Sequence, residues 1–183
     1  MAIYTSGTFP AGGEVGDGGG VVQTVTYMYK DVRSISGNGW NQITSWDAAI
    51  TPTDSTNKIL VSTWLNWAGG DDSYAIGAIL YRKIGSGSWT HISDAGGQTG
   101  HYGNATEGVY LAAGHQQFNN YGRSCSTGTY LDAPNTTDQV KYTLYVKDGR
   151  DNDDVRINRY HYQTNADYMN YAMSGMLMQE ISS

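Results

Sequence analysis

The sequence of 183 residues is long enough for one domain, with or without an arm, and such a chain can bury roughly two thirds of its unfolded surface without disulfides or metals. Charged residues make up only 15% of it, the formal net charge is −6, and the chain contains 24 glycines, 15 tyrosines and 5 tryptophans. This polar, weakly charged and aromatic composition argues against a helical bundle and against disorder, and it favours an all-β fold.

The distribution of charge and apolar residues bears on the possible partners. Basic residues are scattered, with only Arg82 and Lys83 adjacent, so no positive stripe is available to neutralise nucleic-acid phosphates or an anionic membrane. No apolar run approaches the roughly 20 residues that span a bilayer. The first residues lack a basic and apolar leader, so we expect synthesis in the cytoplasm without a secretory signal.

Residues 1–20 differ from the rest because glycine is dense there and large side chains are few. They predict a flexible arm, since glycine-rich chain loses much entropy on ordering. The alternatives are an arm that becomes ordered on another surface and a frayed terminus. The residues expected to contact a partner are Phe9, Pro10, Gly12, Gly13, Val15 and Gly16. Residues 21–183 are predicted to form one domain.

Alternation of apolar and polar residues predicts strands in the first half of the domain at 21–32, 40–46, 58–66, 75–84 and 89–92. A Gly-Ser-Gly turn at 85–87 predicts a hairpin between the last two. Proline and a Thr/Asp/Ser cluster predict a loop at 49–56.

The second half of the domain is less regular. Residues 93–135 have weak periodicity and predict strands only at 108–113 and 116–121. Residues 140–147 predict a strand with inward-facing Val140, Tyr142, Leu144 and Val146. Residues 155–162 are expected to pair with it across a turn at 148–154, and 171–181 forms a last strand. About eight strands predict a single antiparallel β-sandwich of the jelly-roll kind.

Residues suited to catalysis are sparse. Glutamate occurs only at Glu14, Glu107 and Glu180, and the aspartates cluster in turns, where they commonly bond the backbone. No Gly-x-Ser-x-Gly elbow is present, and the four histidines lack metal-ligand spacing. We therefore expect no catalytic, cofactor or metal site, and a chain that is not an enzyme.

Three further features have alternative interpretations. The run 148–154 contains Asp148, Asp151, Asp153 and Asp154, which could bind calcium, but an arginine interrupts it and a solvated hairpin turn is favoured. Cys125, the single cysteine, is expected to be a small buried or half-buried residue rather than a nucleophile. The tryptophans and tyrosines could form a sugar-stacking platform, although core packing and subunit contacts are favoured.

Several segments, taken in order, resemble a group of virion structural proteins of tailed bacteriophages, known as capsid decoration (cement) proteins and tail-fibre tips. The segments that carry the resemblance are 20–25, 50–61, 78–82, 130–134 with 140–146, and 173–181. The stretch 50–61, which reads ITPTDSTNKILV, is the most recognisable. The likeness spans about residues 20–181, and no catalytic residues transfer with it.

The resemblance implies a trimeric jelly-roll module on a virion. A long attachment region is absent, so the implied partners are the chain itself, as a homotrimer, and a major capsid protein rather than a fibre shaft. The alternative is a tail-fibre or spike tip that binds a host surface glycan, with Tyr102, Tyr110 and Tyr121 on its outer face. A polysaccharide-cleaving enzyme, the remaining alternative, would need two carboxylates about 5–10 Å apart in a groove.

Overall fold

The computed structural model describes residues 19–37, 39–69, 76–93, 110–113, 123–148, 154–160 and 172–183. Within these ranges it contains twelve strands and no helix. In chain order the strands are β1 (Val21–Tyr29), β2 (Arg33–Ile35), β3 (Asn41–Gln42), β4 (Ala48–Ile50), β5 (Lys58–Ala68), β6 (Ile76–Ile84), β7 (Thr90–His91), β8 (Leu111–Ala113), β9 (Ser124–Asp132), β10 (Val140–Asp148), β11 (Val155–Ile157) and β12 (Ser174–Ile181).

The strands form two antiparallel sheets. In the first sheet β12 lies between β1 and β5, β9 pairs with the other edge of β5, and β11 and β2 continue from the far end of β5. In the second sheet β10 and β6 form the centre. The short strands β3 and β4 share the free edge of β10, and the short strands β7 and β8 share the free edge of β6.

The pairing of the strands is nested. The first strand, β1, pairs with the last, β12; β3 and β4 pair with β10; β5 pairs with β9; and β6 pairs with β7 and β8. This is the pattern of one long antiparallel hairpin rolled into two sheets, which is the jelly-roll topology. It has eight strand positions if β3 with β4, and β7 with β8, each count once and the short strands β2 and β11 are left aside. The predicted jelly-roll-like sandwich of about eight strands is confirmed.

The core lies between the two sheets, where the period-2 alternation predicted from sequence places it. Residues at alternate positions of the central strands are almost completely buried: Ile59, Val61, Leu65 and Trp67 of β5, Val140, Tyr142, Leu144 and Val146 of β10, and Met176 and Met178 of β12. Trp46 is also buried and stacks on Tyr29 with 5.0 Å between ring centroids. Two of the five tryptophans, Trp46 and Trp67, are therefore core residues.

The pairing expected for residues 155–162 is wrong. Instead of pairing with β10, β11 lies in the first sheet, between the end of β5 and β2. The cause is the next residue, Asn158, which is buried with a φ of 60° and donates its side-chain amide to the carbonyl oxygens of Tyr29 and Asp31. These bonds hold the segment on the first sheet.

The strands predicted within residues 93–135 do not include β9, which is one of the longer strands. Its inward positions are Ser124, Ser126, Gly128, Tyr130 and Asp132, so most of them carry no large apolar side chain. β9 nevertheless pairs with β5 over its whole length. β2 is not among the predicted strands, and the strand expected at 40–46 is limited to the two residues of β3. Ala49 and Ile50, expected in a loop, belong to β4, and Met173, expected in the last strand, precedes β12 and is 50% exposed. The strand expected at 116–121 lies outside the described residues.

A polar cluster joins β9 to the opposite sheet. Asp132 of β9 is buried, and its carboxylate accepts hydrogen bonds from Arg82 of β6 at 2.6 Å and from the Tyr142 hydroxyl of β10 at 2.7 Å. Burial, with the neighbouring Asp132 charge, raises the pKa of Tyr142 far above its usual value. The Tyr142 hydroxyl therefore keeps its proton and donates a hydrogen bond to Asp132.

Replacing Tyr142 with phenylalanine removes this hydroxyl, and Oδ2 of the buried Asp132 carboxylate loses the hydrogen bond that it accepts from it. We expect Tyr142→Phe to lower the free energy of unfolding by about 1–3 kcal/mol. Tyr145→Phe is the matched control, because Tyr145 lies on the outward face of the same strand and is only half-buried. That variant should lose less than about 0.5 kcal/mol. Urea unfolding followed by tryptophan fluorescence measures both, and equal losses would contradict the role given to the cluster.

Candidate functional site

The carboxylate of Glu180, near the end of the last strand, accepts hydrogen bonds from several distant parts of the chain. It projects inward from β12 and is completely buried. Its Oε1 accepts hydrogen bonds from the Thr53 backbone N–H at 2.7 Å, the Thr53 hydroxyl at 2.8 Å and the Asn57 amide at 2.7 Å. Its Oε2 accepts one from Gln23 of β1 at 2.5 Å. The loop before β5, the first strand and the last strand therefore meet at one side chain.

The protonation state of Glu180 follows from these bonds. Burial by itself raises the pKa of a carboxyl, but the hydrogen bonds from Asn57, Gln23 and Thr53 outweigh it and hold the pKa of Glu180 below its ordinary value. Glu180 is thus an anion stabilised by neutral donors. Its lone pairs are used within the fold, so it does not serve as a general acid or base.

A second buried cluster lies at the other end of β12. The Ser174 hydroxyl donates to Asn158 Oδ1 at 2.6 Å and accepts from the Asn66 backbone N–H at 2.9 Å. The Asn158 N–H donates to the Asn66 carbonyl oxygen at 2.8 Å. Together with the bonds from Asn158 to the chain after β1, this cluster joins β1, β5, β11 and β12. The last strand is therefore anchored at both ends by buried polar groups.

The arm residues expected to contact a partner, Phe9, Pro10, Gly12, Gly13, Val15 and Gly16, lie outside the described residues. Gly19, the first residue that the structure describes, lies beside Ser182 near the C-terminus. The Gly20 carbonyl oxygen accepts a hydrogen bond from the Ser182 N–H at 3.0 Å. A side chain at Gly19 would collide with the Ser182 backbone, because an added Cβ would lie 1.6 Å from its carbonyl oxygen.

Of the three tyrosines expected to face a glycan, Tyr102 and Tyr121 lie outside the described residues, and Tyr110 is half-buried against the core. The Tyr110 hydroxyl donates to the Gly128 carbonyl oxygen at 2.8 Å, and burial raises its pKa to about 12. Its ring occupies the space above Gly128, where an added Cβ would come within 3.2 Å of ring carbons. Tyr110 therefore packs β8 against β9.

The acidic run and the cysteine differ from expectation. Asp148 is buried at the end of β10 rather than solvated, and Asp154 is half-buried with a carboxylate oxygen 3.9 Å from Arg156. Asp151 and Asp153 lie outside the described residues. Cys125, expected to be buried or half-buried, is exposed because it points outward from β9. Among the described residues, no group of three or more His, Cys, Asp or Glu side chains could hold a metal ion.

The outer face of the first sheet is formed by β1, β12, β5 and β9. The strand register sets its central residues in three rows across these four strands: Thr24–Gln179–Leu60–Leu131, Thr26–Leu177–Ser62–Thr129 and Met28–Gly175–Trp64–Thr127. None of these twelve residues is ionisable. Exposed Val22, Met173 and Cys125 lie around the rows, and Lys58 stands at one corner. This surface, called the plain face below, carries no charged side chain in its three rows.

The outer face of the second sheet has a different character. Ile79 and Thr143 point away from the core, yet both are buried. Tyr81 stacks on Tyr145 and on His91, with centroid distances of 4.0 and 5.4 Å. This face therefore carries half-buried aromatic rings rather than an open flat surface.

An open groove of about 470 Å³ runs beside β1. It is lined by residues 25–28 of β1 with Lys30, Asp47 and Ala49. Asp47 is the one acidic residue among the described residues that line this groove. Within the described part of the chain, no helix is long and apolar enough to cross a membrane.

Comparisons with known proteins give little further guidance. No protein-family model matches the sequence, and no curated protein is significantly similar to it. Among solved structures, the infectious bursal disease virus Gx strain matches 89% of this chain and 38% of that chain, with 13% identity and a TM-score of 0.40. The Gt strain of the same virus matches 100% of this chain and 43% of that chain, with 11% identity and a TM-score of 0.34. This chain thus spans less than half of each, and TM-scores this low do not establish a common fold.

We expect Glu180→Gln to destabilise the protein by about 2–3 kcal/mol near pH 7, because an amide replaces an anion that accepts several bonds. The sign of the pH effect follows from the lowered pKa of Glu180. The stabilisation is fully present above the unfolded-state pKa of about 4.3 and is lost as the pH falls through the lower folded-state pKa. The difference between wild type and variant should therefore shrink in acid.

Urea unfolding at a series of pH values between neutral and strongly acidic tests this expectation. Asp138→Asn, which removes an exposed carboxylate, is the control and should change the unfolding free energy by less than about 0.5 kcal/mol. A difference between wild type and Glu180→Gln that stays constant across the series would contradict the account of Glu180.

Proposed function

We propose that this protein is a non-enzymatic structural component of a virion, and specifically a homotrimeric capsid decoration protein that clips neighbouring capsid subunits and stabilises the shell. The fold alone does not decide this, since jelly rolls host unrelated functions. The proposal rests on what the segments shared with phage virion proteins do in this chain.

The observation that carries the proposal is the use of the two buried carboxylates in those segments. Glu180, in 173–181, binds Thr53 and Asn57, which belong to 50–61. Asp132, in 130–134, binds Arg82 from 78–82 and Tyr142 from 140–146. The recognisable residues thus bind one another and tie the strands of the sandwich together, as expected of a structural protein.

The mechanism would be multivalent attachment. Three copies of a rigid sandwich would each contribute a weak contact through the base and the glycine-rich arm. Contacts on one body act together at high effective concentration, so weak individual contacts give tight attachment. The protein would be made in the host cytoplasm and end on the capsid surface.

The second candidate is a tail-fibre or spike tip that binds a host glycan. The stacked rings of Tyr81, Tyr145 and His91 favour it, since aromatic faces can pack against sugars. The two candidates differ in what they bind: a capsid lattice in the first case and a cell-surface polysaccharide in the second.

Deletion of residues 1–18 tests the role of the arm and retains Gly20, which bonds Ser182. We expect the truncated protein to remain folded with an unchanged oligomeric state, while its affinity for capsids stripped of this protein falls by about 100-fold or more, as expected when linked contacts are lost. Co-sedimentation with the capsids measures the affinity. Phe9→Ala with Val15→Ala, which keeps the arm length, should weaken binding to a smaller extent. Undiminished binding by the truncated protein would refute the role of the arm.

A further inference from the structure

We infer that the plain face is the surface through which copies of this chain associate. The inference deepens the proposed homotrimer by assigning its interface, and in that respect it rests on the proposed function. The occupant of the face is a further copy of this chain, with each face shared between neighbours around the symmetry axis.

The first argument is the absence of charge. The chain carries 17 acidic and 11 basic residues, so copies repel one another. Across the three rows, by contrast, the side chains are aliphatic, aromatic, hydroxyl, amide or glycine. Interface cores are depleted in charged residues in the same way. Acidic copies can approach closely here without burying unpaired carboxylates.

The second argument is size. Four strands spaced about 4.8 Å apart and about nine residues long, at about 3.3 Å per residue, give a face of about 550 Å². Around a threefold axis each face gives half of its area to each neighbour, so three faces together bury about 1,650 Å² in three contacts of about 550 Å² each. Contacts of this size are individually weak, but three of them act together in one closed trimer. The exposed Leu131 and Met173 extend the apolar surface toward the rim.

The third argument is that the buried polar groups that tie the sandwich together lie on the inward side of this sheet. The anchoring groups of β12, Glu180 and Ser174, point inward, and so does Asp132 of β9. The outward residues therefore remain available for contacts between molecules. The other outer face differs, since Ile79 and Thr143 are already buried there within one chain.

The test compares two identical substitutions at exposed threonines on edge positions of the two sheets. Thr129→Glu places a carboxylate in the middle row of the plain face, and Thr90→Glu places one on β7 of the second sheet. Like charges brought together at an interface cost several kcal/mol, so Thr129→Glu should weaken self-association by about 100-fold or more. Thr90→Glu should leave it unchanged.

Sedimentation equilibrium of the full chain is the readout. Wild type and Thr90→Glu should sediment as a multiple of the 19.9 kDa chain, with three copies for a trimer, and Thr129→Glu as the monomer. Cys125 provides an independent probe because it lies beside the rows, paired with Asn66. Its thiol should react with a maleimide more slowly in wild type than in Thr129→Glu. Circular dichroism checks that each variant is folded.

A wild-type chain that sediments as a monomer overturns the inference, and so does a Thr129→Glu variant that keeps the wild-type mass with equally reactive Cys125. Loss of capsid binding by Thr129→Glu with no change in mass would assign the face to the capsid and also overturn it. The proposed function is tested separately: a monomeric wild type that still co-sediments with capsids would leave decoration standing, whereas an oligomer that fails to bind capsids would refute decoration alone.

Discussion

The geometry of the sandwich depends on one buried anion, Glu180, at the end of the last strand. A buried carboxylate is costly unless hydrogen bonds compensate it, and here neutral donors from β1 and from the loop before β5 do so. Because these donors are far apart in the chain, Glu180 can be satisfied only when the first strand, the last strand and that loop are all in place. Its burial therefore links the closure of the first sheet to the correct course of the chain.

The inward position of these anchoring groups also determines which side of the first sheet is left for contacts with other molecules. Glu180 and Ser174 anchor β12 at its two ends, and Asp132 ties β9 to the second sheet, so polar groups on the inward side of the first sheet hold it in place. On the outward side, the side chains of Trp64 and Asn66 donate hydrogen bonds to the Met173 carbonyl oxygen, and both bonds are exposed. A sheet whose outward rows carry no charge suits the contacts between identical copies that we propose.

Much of the fold follows from sequence because the central strands alternate regularly; the inward residues Val140, Tyr142, Leu144 and Val146 are all buried as predicted. β9 escapes detection because residues from elsewhere fill its inner side: Trp67 bonds Ser126, and Tyr110 packs over Gly128. The inward position of Glu180 is visible in the alternation of the last strand. Its donors are not, since they are separated from it by more than 120 residues and no local spacing relates them.

The central claim is that this chain decorates a capsid, and immunogold electron microscopy of the virus particles that carry it tests the claim most directly. Antibody raised against the recombinant chain should place gold over the head of intact particles, with no label on particles that lack the protein. Gold confined to the tail would contradict decoration and favour the glycan-binding tip. Absence of label from both head and tail would contradict a virion role altogether.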